Sequence, residues 1–429
     1  MRIEELYKIF QESGHVCIDT RQIIGGEIFL CLKGERFNGN QFADQALQKG
    51  ASYVVVDDKE YLKQDHEQYI YVDDSLETLQ KLAAHHREQL KIPFVGITGS
   101  NGKTTTKELV AAVLSKQFQV FSTPGNFNNH IGVPLSLLQI TENHQIAIIE
   151  MGANHVGEIA ELCAISKPTH GIITNIGRAH LEGFGSIENI QTTKLGLYDA
   201  VKSINGHLFV HESDHFLMEE SESFERTTYG LSNFADISVK PIKNGMALQF
   251  SYQNLEINTQ LFGEFNIYNA AAALAVGNYF EVPIEKMKDA LESYHPANNR
   301  SQIEKGPNNE LILDAYNANP DSMQKAIDFF NKIDSSGKYI ILGDMLEMGV
   351  YEKKVHRQIL ENVRVSRFKS VFLVGPAFSQ LKEEYPAFRF FQTVEDAIEF
   401  FKIHPLKNAQ IMLKGSRGIR LEALKEILL

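Results

Sequence analysis

Cysteine is scarce in this 429-residue chain, and the three present, Cys17, Cys31 and Cys163, lie far apart with no Cys-x-x-Cys pair among them. That spacing excludes a disulfide framework and a thiolate metal cage, and it predicts three buried free thiols. Positive charge is also short, with 42 Lys and Arg against 54 Asp and Glu and a formal net charge of −12. Nonspecific nucleic-acid binding depends on basic side chains neutralising phosphates, so that class of partner is excluded. An anionic ligand must instead meet a local basic site. No apolar run approaches the length of a membrane span, and the opening MRIEELYKIF lacks a basic stretch followed by an apolar core. The expectation is a cytoplasmic protein with no membrane partner. Short-period repeats and low-complexity segments are absent as well. The remaining composition, 43% hydrophobic and 22% charged, is that of an ordinary folded chain. Its length suggests roughly three domains.

One stretch carries chemistry: GITGSNGKTTTKELV, residues 96–110. The apolar run Ile92–Ile97 before it reads as a buried strand, and from Thr105 onward apolar residues recur at helical spacing. A strand, a glycine-rich turn and a helix start are the context a phosphate-binding loop requires. Gly99 and Gly102 let backbone N–H groups turn inward, and the helix N-terminus favours a bound phosphate. Lys103 is placed to reach terminal phosphates and the Thr104 hydroxyl to reach magnesium. The glycine that the common spacing puts at position 97 is absent; that position is Ile97.

Three blocks follow from the rhythm of the chain. Residues 1–90 mix short strand-like pieces, EIFLCLKG and SYVVVDD, with helices and end in SLETLQKLAAHHREQL before Pro93. Residues 91–296 alternate the apolar segments QVFST, QIAIIEMG, HGIITNIG and GHLFVHES with helices, the pattern of a parallel sheet covered on both faces. A less regular stretch, 235–262, reads as antiparallel strands before the helix NIYNAAAALAVGNYF. Residues 297–429 restart the alternation with LILDAYN, YIILGD, SVFLVGP, FRFFQT and QIMLKGS. The fold class expected is α/β, with a central nucleotide-binding parallel sheet and a second, independent α/β unit after it.

Open parallel sheets place ligands at the carboxyl ends of their strands. Glu150 closes the strand AIIE, where a carboxylate can share a magnesium ion with Thr104. His180 follows a strand in the glycine-rich loop ITNIGRAHLEGFGS. Lys194, in NIQTTKLGLYDA, reads from pattern alone as a solvated helix lysine.

GSNGKTTT, GNFNNHIGVPLSLL, EMGANHVGE, TNIGRAHLEGFGS, NAAAALA, DAYNANPDSM, GDMLEMG and LKGSRGIRLE together resemble the Mur ligase family over nearly the whole chain, least in the first 90 residues. The resemblance implies a three-domain architecture with a UDP-substrate-binding domain, a central ATP-binding P-loop domain and a Rossmann-like C-terminal domain. It implies ATP and Mg2+, with nucleotide contacts at Gly99, Ser100, Asn101, Gly102, Lys103, Thr104, Thr105, Asn266, Asn269, Arg300 and Asp314. Catalytic and metal roles fall on Lys103, Thr104, Glu150, His180 and Lys194, the last as a carbamylated lysine. Carbamylation would turn a cation into an anionic oxygen ligand. Lys194 is followed by Leu195-Gly196-Leu197, whereas glycine and glutamate follow directly in a common family form.

The same resemblance implies a substrate carboxylate phosphorylated by ATP and an amine that attacks the acyl phosphate. The logic is chemical: a carboxylate is a poor electrophile, and two anions approach only where cations bridge them. Asn128 and Asn129 resemble groove residues beside that carboxylate. Thr20 and Arg21, with Asn38 further on, resemble a uridine-nucleotide site, although the family usually has Ser for Thr20 and often Asp for Asn38. Tyr316, Asn317 and Asn319 suit the acceptor side. The donor expected is a UDP-N-acetylmuramoyl tripeptide and the acceptor D-alanyl-D-alanine, acted on by a monomer. A ligase of the same family adding a different amino acid, or a folate polyglutamylating enzyme, is the near alternative; the Asp-Asn-Pro-Arg stretch of the diaminopimelate-adding member is absent. A nucleotide-dependent switch is the alternative from another class, and the guanine-reading Asn-Lys-x-Asp element is absent too.

Overall fold

The computed structural model describes residues 1–34, 37–242, 245–335 and 337–429. Four short parallel strands, Val16–Cys17, Ile28–Leu30, Tyr53–Val56 and Tyr69–Tyr71, lie side by side in chain order. The three cysteines are free and buried. Burial pushes the Cys31 and Cys163 thiols up to about 12, which makes them inert packing groups. Helix Ser75–Gln89 starts on Asp74, whose carboxylate accepts from the Glu77 N–H at 2.7 Å. Its Leu79, Leu82 and Ala83 enter a core that runs from Leu6 to Leu217. Arg87 donates to the carbonyls of Ser166 and Lys167, each at 2.8 Å. The change of sheet near residue 90 is therefore bridged by one continuous core.

Seven parallel strands form the central sheet, in the order Ile237–Ser238, Arg226–Gly230, His207–His211, His170–Ile173, Phe94–Thr98, Ile146–Glu150, Val120–Ser122. Phe94–Thr98 and Ile146–Glu150 are buried at every position, which is why they read as unbroken apolar runs. Helices Lys103–Leu114 and Ile267–Tyr279 cover one face, packing Leu109, Val110 and the alanines 270–273 against Val95 and Ile97. Helices Glu158–Ser166 and Ile187–Lys202 cover the other through Leu162, Leu197 and Val201. Of the two outermost strands, Arg226–Gly230 has no counterpart in the apolar pattern, and Ile237–Ser238, which lies in the stretch 235–262 read as antiparallel, instead pairs parallel with it at the edge of the central sheet. Only Tyr229 and Gly230 of RTTYG are buried, so that segment lacks the run that marks an interior strand. Strands Lys240–Ile242, Ala247–Tyr252 and Leu255–Phe262 make the expected antiparallel sheet.

The last unit orders its strands Gln302–Lys305, Asn309–Asp314, Ala409–Lys414, Lys338–Gly343, Ser370–Val374, Arg389–Phe391. All neighbours are parallel except the first pair, which is an antiparallel hairpin. Asp314, Lys414 and Gly343 thus stand together at the carboxyl ends of three adjacent strands, facing the central sheet's own ligand edge.

Candidate functional site

A cavity of about 480 Å³ lies between the central and last units, lined by the glycine-rich loop, Glu150, His180, Arg300, Asp314 and Tyr316. That volume suits a nucleotide-sized ligand. The loop's shape needs its glycines. Gly99 has φ +145°, and a Cβ there would sit 1.9 Å from Thr174 Oγ1. Gly102 has φ +82°, and a Cβ would fall 2.6 Å from Asn269 Oδ1. Only glycine fits either place.

Lys103 opens the helix Lys103–Leu114 and donates to the carbonyl of Gly99 at 2.6 Å. Burial pulls its amine down to about 8, with the charge of Arg300 adding and that of Glu150 opposing. Thr104 Oγ1 donates to Glu150 Oε1 at 3.0 Å, and Asn128 Nδ2 donates to the same oxygen at 2.8 Å. Glu150 is 1% exposed, not a surface carboxylate, and its Oε2 has no hydrogen-bond partner among the described residues. The Lys107 ammonium stands 3.7 Å from that oxygen while donating to the Thr123 and Gly125 carbonyls. Thr105, expected among the nucleotide contacts, is buried on the same helix, and Lys107, also buried, was not distinguishable from helix packing in the sequence.

Lys194 departs from its pattern-based reading as a solvated lysine, because it is 3% exposed on the inner face of helix Ile187–Lys202. Burial first, and the charge of Lys103 second, hold its amine well below the ordinary lysine range. His180, at φ +53°, pairs through Nδ1 with Glu347 of the last unit. That bond holds the Glu347 carboxyl below its usual range. Sequence reasoning quoted GDMLEMG as a motif without singling out Glu347, since nothing local links it to a histidine 167 residues away.

Asn266 and Asn269 form a chain of amides. Asn269 Nδ2 donates to Asn266 Oδ1 at 2.7 Å, and Asn266 Nδ2 donates to Phe262 O and Ser301 Oγ. From the last unit, the Arg300 guanidinium lies 3.5 Å from the centre of the Tyr316 ring, with its buried Nε unpartnered among the described residues. Asp314 pairs with the buried Lys414 and accepts from Ser301 N at 3.1 Å. Asn317 Oδ1 accepts from Ala318 N. Asn319 caps helix Pro320–Lys332 and donates across to Asn101 Oδ1 at 2.8 Å. Ser100 and Asn129 are held by bonds to Gly177 and to the Ile131 and Gly132 N–H groups respectively.

Thr20 and Arg21 stand apart from this cavity, on the first unit. Arg21 is largely exposed and paired with Asp19, and Thr20 donates to Gln45 at 3.3 Å. Asn38 Oδ1 accepts from Asn40 N at 3.1 Å, while residues 35–36 of the same stretch lie outside the described residues.

A glycine-rich phosphate loop on a parallel sheet, closed over by a second α/β unit that supplies cations and carboxylates, defines a nucleotide-binding protein of the P-loop class. Three family descriptions cover the chain: "Mur ligase family, catalytic domain" at residues 13–87, "Mur ligase middle domain" at 97–277, and "Mur ligase, glutamate ligase domain" at 299–417. The chain belongs to the Mur ligase family. It is 34% identical over 419 residues to the UDP-N-acetylmuramoyl-tripeptide–D-alanyl-D-alanine ligase of Bacillus subtilis (strain 168), covering 95% of this chain and 91% of that one. Among solved structures, MurF from Acinetobacter baumannii superposes with a TM-score of 0.88 at 29% identity, over 99% of this chain and 98% of that one. MurF from Thermotoga maritima in complex with ADP gives 0.85 at 26% identity, over 97% of each chain.

Proposed function

We propose that this chain is an ATP-dependent ligase that joins D-alanyl-D-alanine to a UDP-N-acetylmuramoyl tripeptide, releasing ADP and phosphate, in peptidoglycan precursor synthesis. The observation that carries this reading is the likeness along 95% of the chain to ligases named for that reaction. Residues 1–90 take the uridine end of the donor, 91–296 the ATP, and 297–429 the acceptor side. Thr20 and Arg21, at a distance from the cavity, suit the far end of a long donor. No described helix is long and apolar enough to cross a membrane.

The donor's carboxylate oxygen attacks the γ-phosphorus of ATP and the bond to the β–γ bridging oxygen breaks, leaving ADP and an acyl phosphate. The acceptor amine attacks the acyl carbon, phosphate departs with its C–O oxygen, and the nitrogen loses a proton. Lys103 and Arg300 meet the charge on the transferring group, Asn128 orients the carboxylate's surroundings, and the last unit keeps water from the acyl phosphate. Magnesium fits the residues present. Glu150 Oε2 is a buried carboxylate oxygen without a hydrogen bond among the described residues, and the Thr104 hydroxyl is on its partner oxygen. Among the described residues no three His, Cys, Asp or Glu side chains form a cage. Thr104 and Glu150 would hold one ion, and His180 with a carbamylated Lys194 another; bound there, magnesium would neutralise phosphate charge. Lys194's depressed basicity supplies the neutral amine that carbon dioxide requires. The test is to incubate enzyme, ATP and magnesium with the UDP-muramoyl tripeptide and D-alanyl-D-alanine, D-alanine or a free diamino acid. ATP cleavage and a new amide are expected with the dipeptide; product with the single amino acids alone overturns the specificity.

A further inference from the structure

The boundary between the central and last units is crossed by a side-chain network that ends on the phosphate loop itself. Arg178 grips Asp321 with three donors: its backbone N reaches Oδ2 at 2.8 Å, and Nε and Nη2 reach Oδ1 at 2.9 and 2.6 Å. The neighbouring residue leaves room for this grip, since a Cβ on Gly177 would stand 2.9 Å from Asp321 Oδ2. Gly177 is in turn locked to the loop, because Ser100 Oγ donates to Gly177 O and accepts from Gly177 N, both at 2.9 Å. One residue on, Asn101 N donates to Asn175 Oδ1 and Asn101 O accepts from Asn175 Nδ2. Asn319, the cap of the helix that carries Asp321, reaches Asn101 directly. The helix start at 319–321 therefore touches Ser100 and Asn101 by two routes, one direct and one through Arg178.

We propose that Arg178 and Asp321 are a latch whose closing fixes the phosphate loop in its working shape. The proposal rests on the ligase reading above. Both are positioning residues and touch no reacting group; they act through Gly177, Ser100 and Asn101. A guanidinium making several parallel bonds to one carboxylate fixes geometry as well as energy. The pair is only part-buried, with side chains 44% and 25% exposed, so its strength falls with salt. Such a pair makes and breaks reversibly, as a closing step requires.

The test uses the full chain with fluorescent labels on the central and last units, so that closure is read apart from ligation, alongside phosphate release. Arg178→Ala and Asp321→Ala are each expected to reduce kcat by roughly three- to tenfold. The KM for the UDP-linked donor, bound on the first unit, stays unchanged, and ATP-induced closure is weakened. The double variant is no slower than either single one, and the exchange Arg178→Asp with Asp321→Arg restores most of the loss. Raising ionic strength slows the parent more than it slows Arg178→Ala, because the variant has already lost the pair that salt would screen. Arg178→Lys, which keeps the charge without the fork, falls between. Melting temperatures near the parent's confirm that the variants are folded. Additive losses in the double variant, or single variants equal to the parent in closure and kcat, overturn the latch. A parent that closes on ATP through this pair but ligates nothing overturns the ligase reading and leaves the latch standing.

Discussion

Lys103 concentrates what a single residue does here. Its amine is buried and pulled to about 8, so below that pH the fold carries a charge in a poorly hydrated place. An unfolded lysine near 10.5 holds its proton longer, so stability rises with pH between about 8 and 10.5, and the cost is fully present below 8. A phosphate beside the amine favours the protonated form, so nucleotide affinity is expected to fall as pH rises through about 8. Calorimetry of ADP binding across pH 7–10 (a range of roughly this width suffices) checks this, and Lys103→Ala should flatten the profile. The same variant should lose turnover by on the order of 10²–10³, about 3–4 kcal/mol, while staying folded. More than a tenth of parental turnover would remove Lys103 from the mechanism. Lys194 is expected to carry a carbamate in the active, metal-bound enzyme. Lys194→Ala should be inactive and recover partly with short carboxylic acids that restore the anion; a bare amine by mass spectrometry of the active enzyme would sink that assignment. Lys103, Thr104 and Glu150 were legible because loop spacing and a strand end are local signals. Lys194 was legible only by resemblance, since its burial depends on which face of its helix the sheet covers. Glu347, Arg178 and Asp321 escaped, because their partners lie 167 and 143 residues away.

Elements read well where burial is uniform and poorly where it is partial. The strands 94–98 and 146–150 announced themselves as apolar runs, while 226–230 and 237–238, at the sheet's edge, did not. Loop placement was least legible. The segment after Gly343 is set by Asp344, which accepts from the Ala377 and Phe378 N–H groups, and by His356, whose Nε2 accepts from Met345 N. That buried framework presents Glu347 to His180, and no pattern within GDMLEMG specifies it. Another buried histidine makes a testable element. His170 opens the strand His170–Ile173 and packs near Phe209, Tyr279 and Phe280. Burial, with His207 nearby, pulls its imidazole down to about 4. The unfolded chain takes up the proton near 6.5, so stability from the neutral ring is complete above 6.5 and lost as pH falls toward 4, by on the order of 3 kcal/mol. Urea titrations of the parent and His170→Phe between those limits should show a shallower acid limb in the variant; parallel limbs would assign the loss elsewhere.

At the scale of the whole molecule, the distribution of sites sets how binding energy is used. The uridine-site candidates Thr20 and Arg21 lie on the first unit, apart from the cavity that holds Glu150, His180 and Lys103. The first and central units share one hydrophobic core, so the distance between these sites is held by packing; the last unit packs on the central one around Phe262, Phe265 and Phe329 and meets the loop through polar contacts at Arg178, His180 and Asn101. A donor anchored at its nucleotide end would have its carboxylate delivered to a fixed place beside Glu150. Binding energy gained far from the chemistry is then available to align the reacting groups, and alignment lowers the barrier itself. A donor lacking the uridine diphosphate should therefore lose turnover as well as affinity. Steady-state kinetics with the full UDP-muramoyl tripeptide and with the muramoyl tripeptide alone, each carried to saturation, separate the two effects. A lower kcat for the truncated donor is the expected result. An unchanged kcat with only a raised KM would mean that the first unit captures the donor and contributes nothing to positioning its carboxylate.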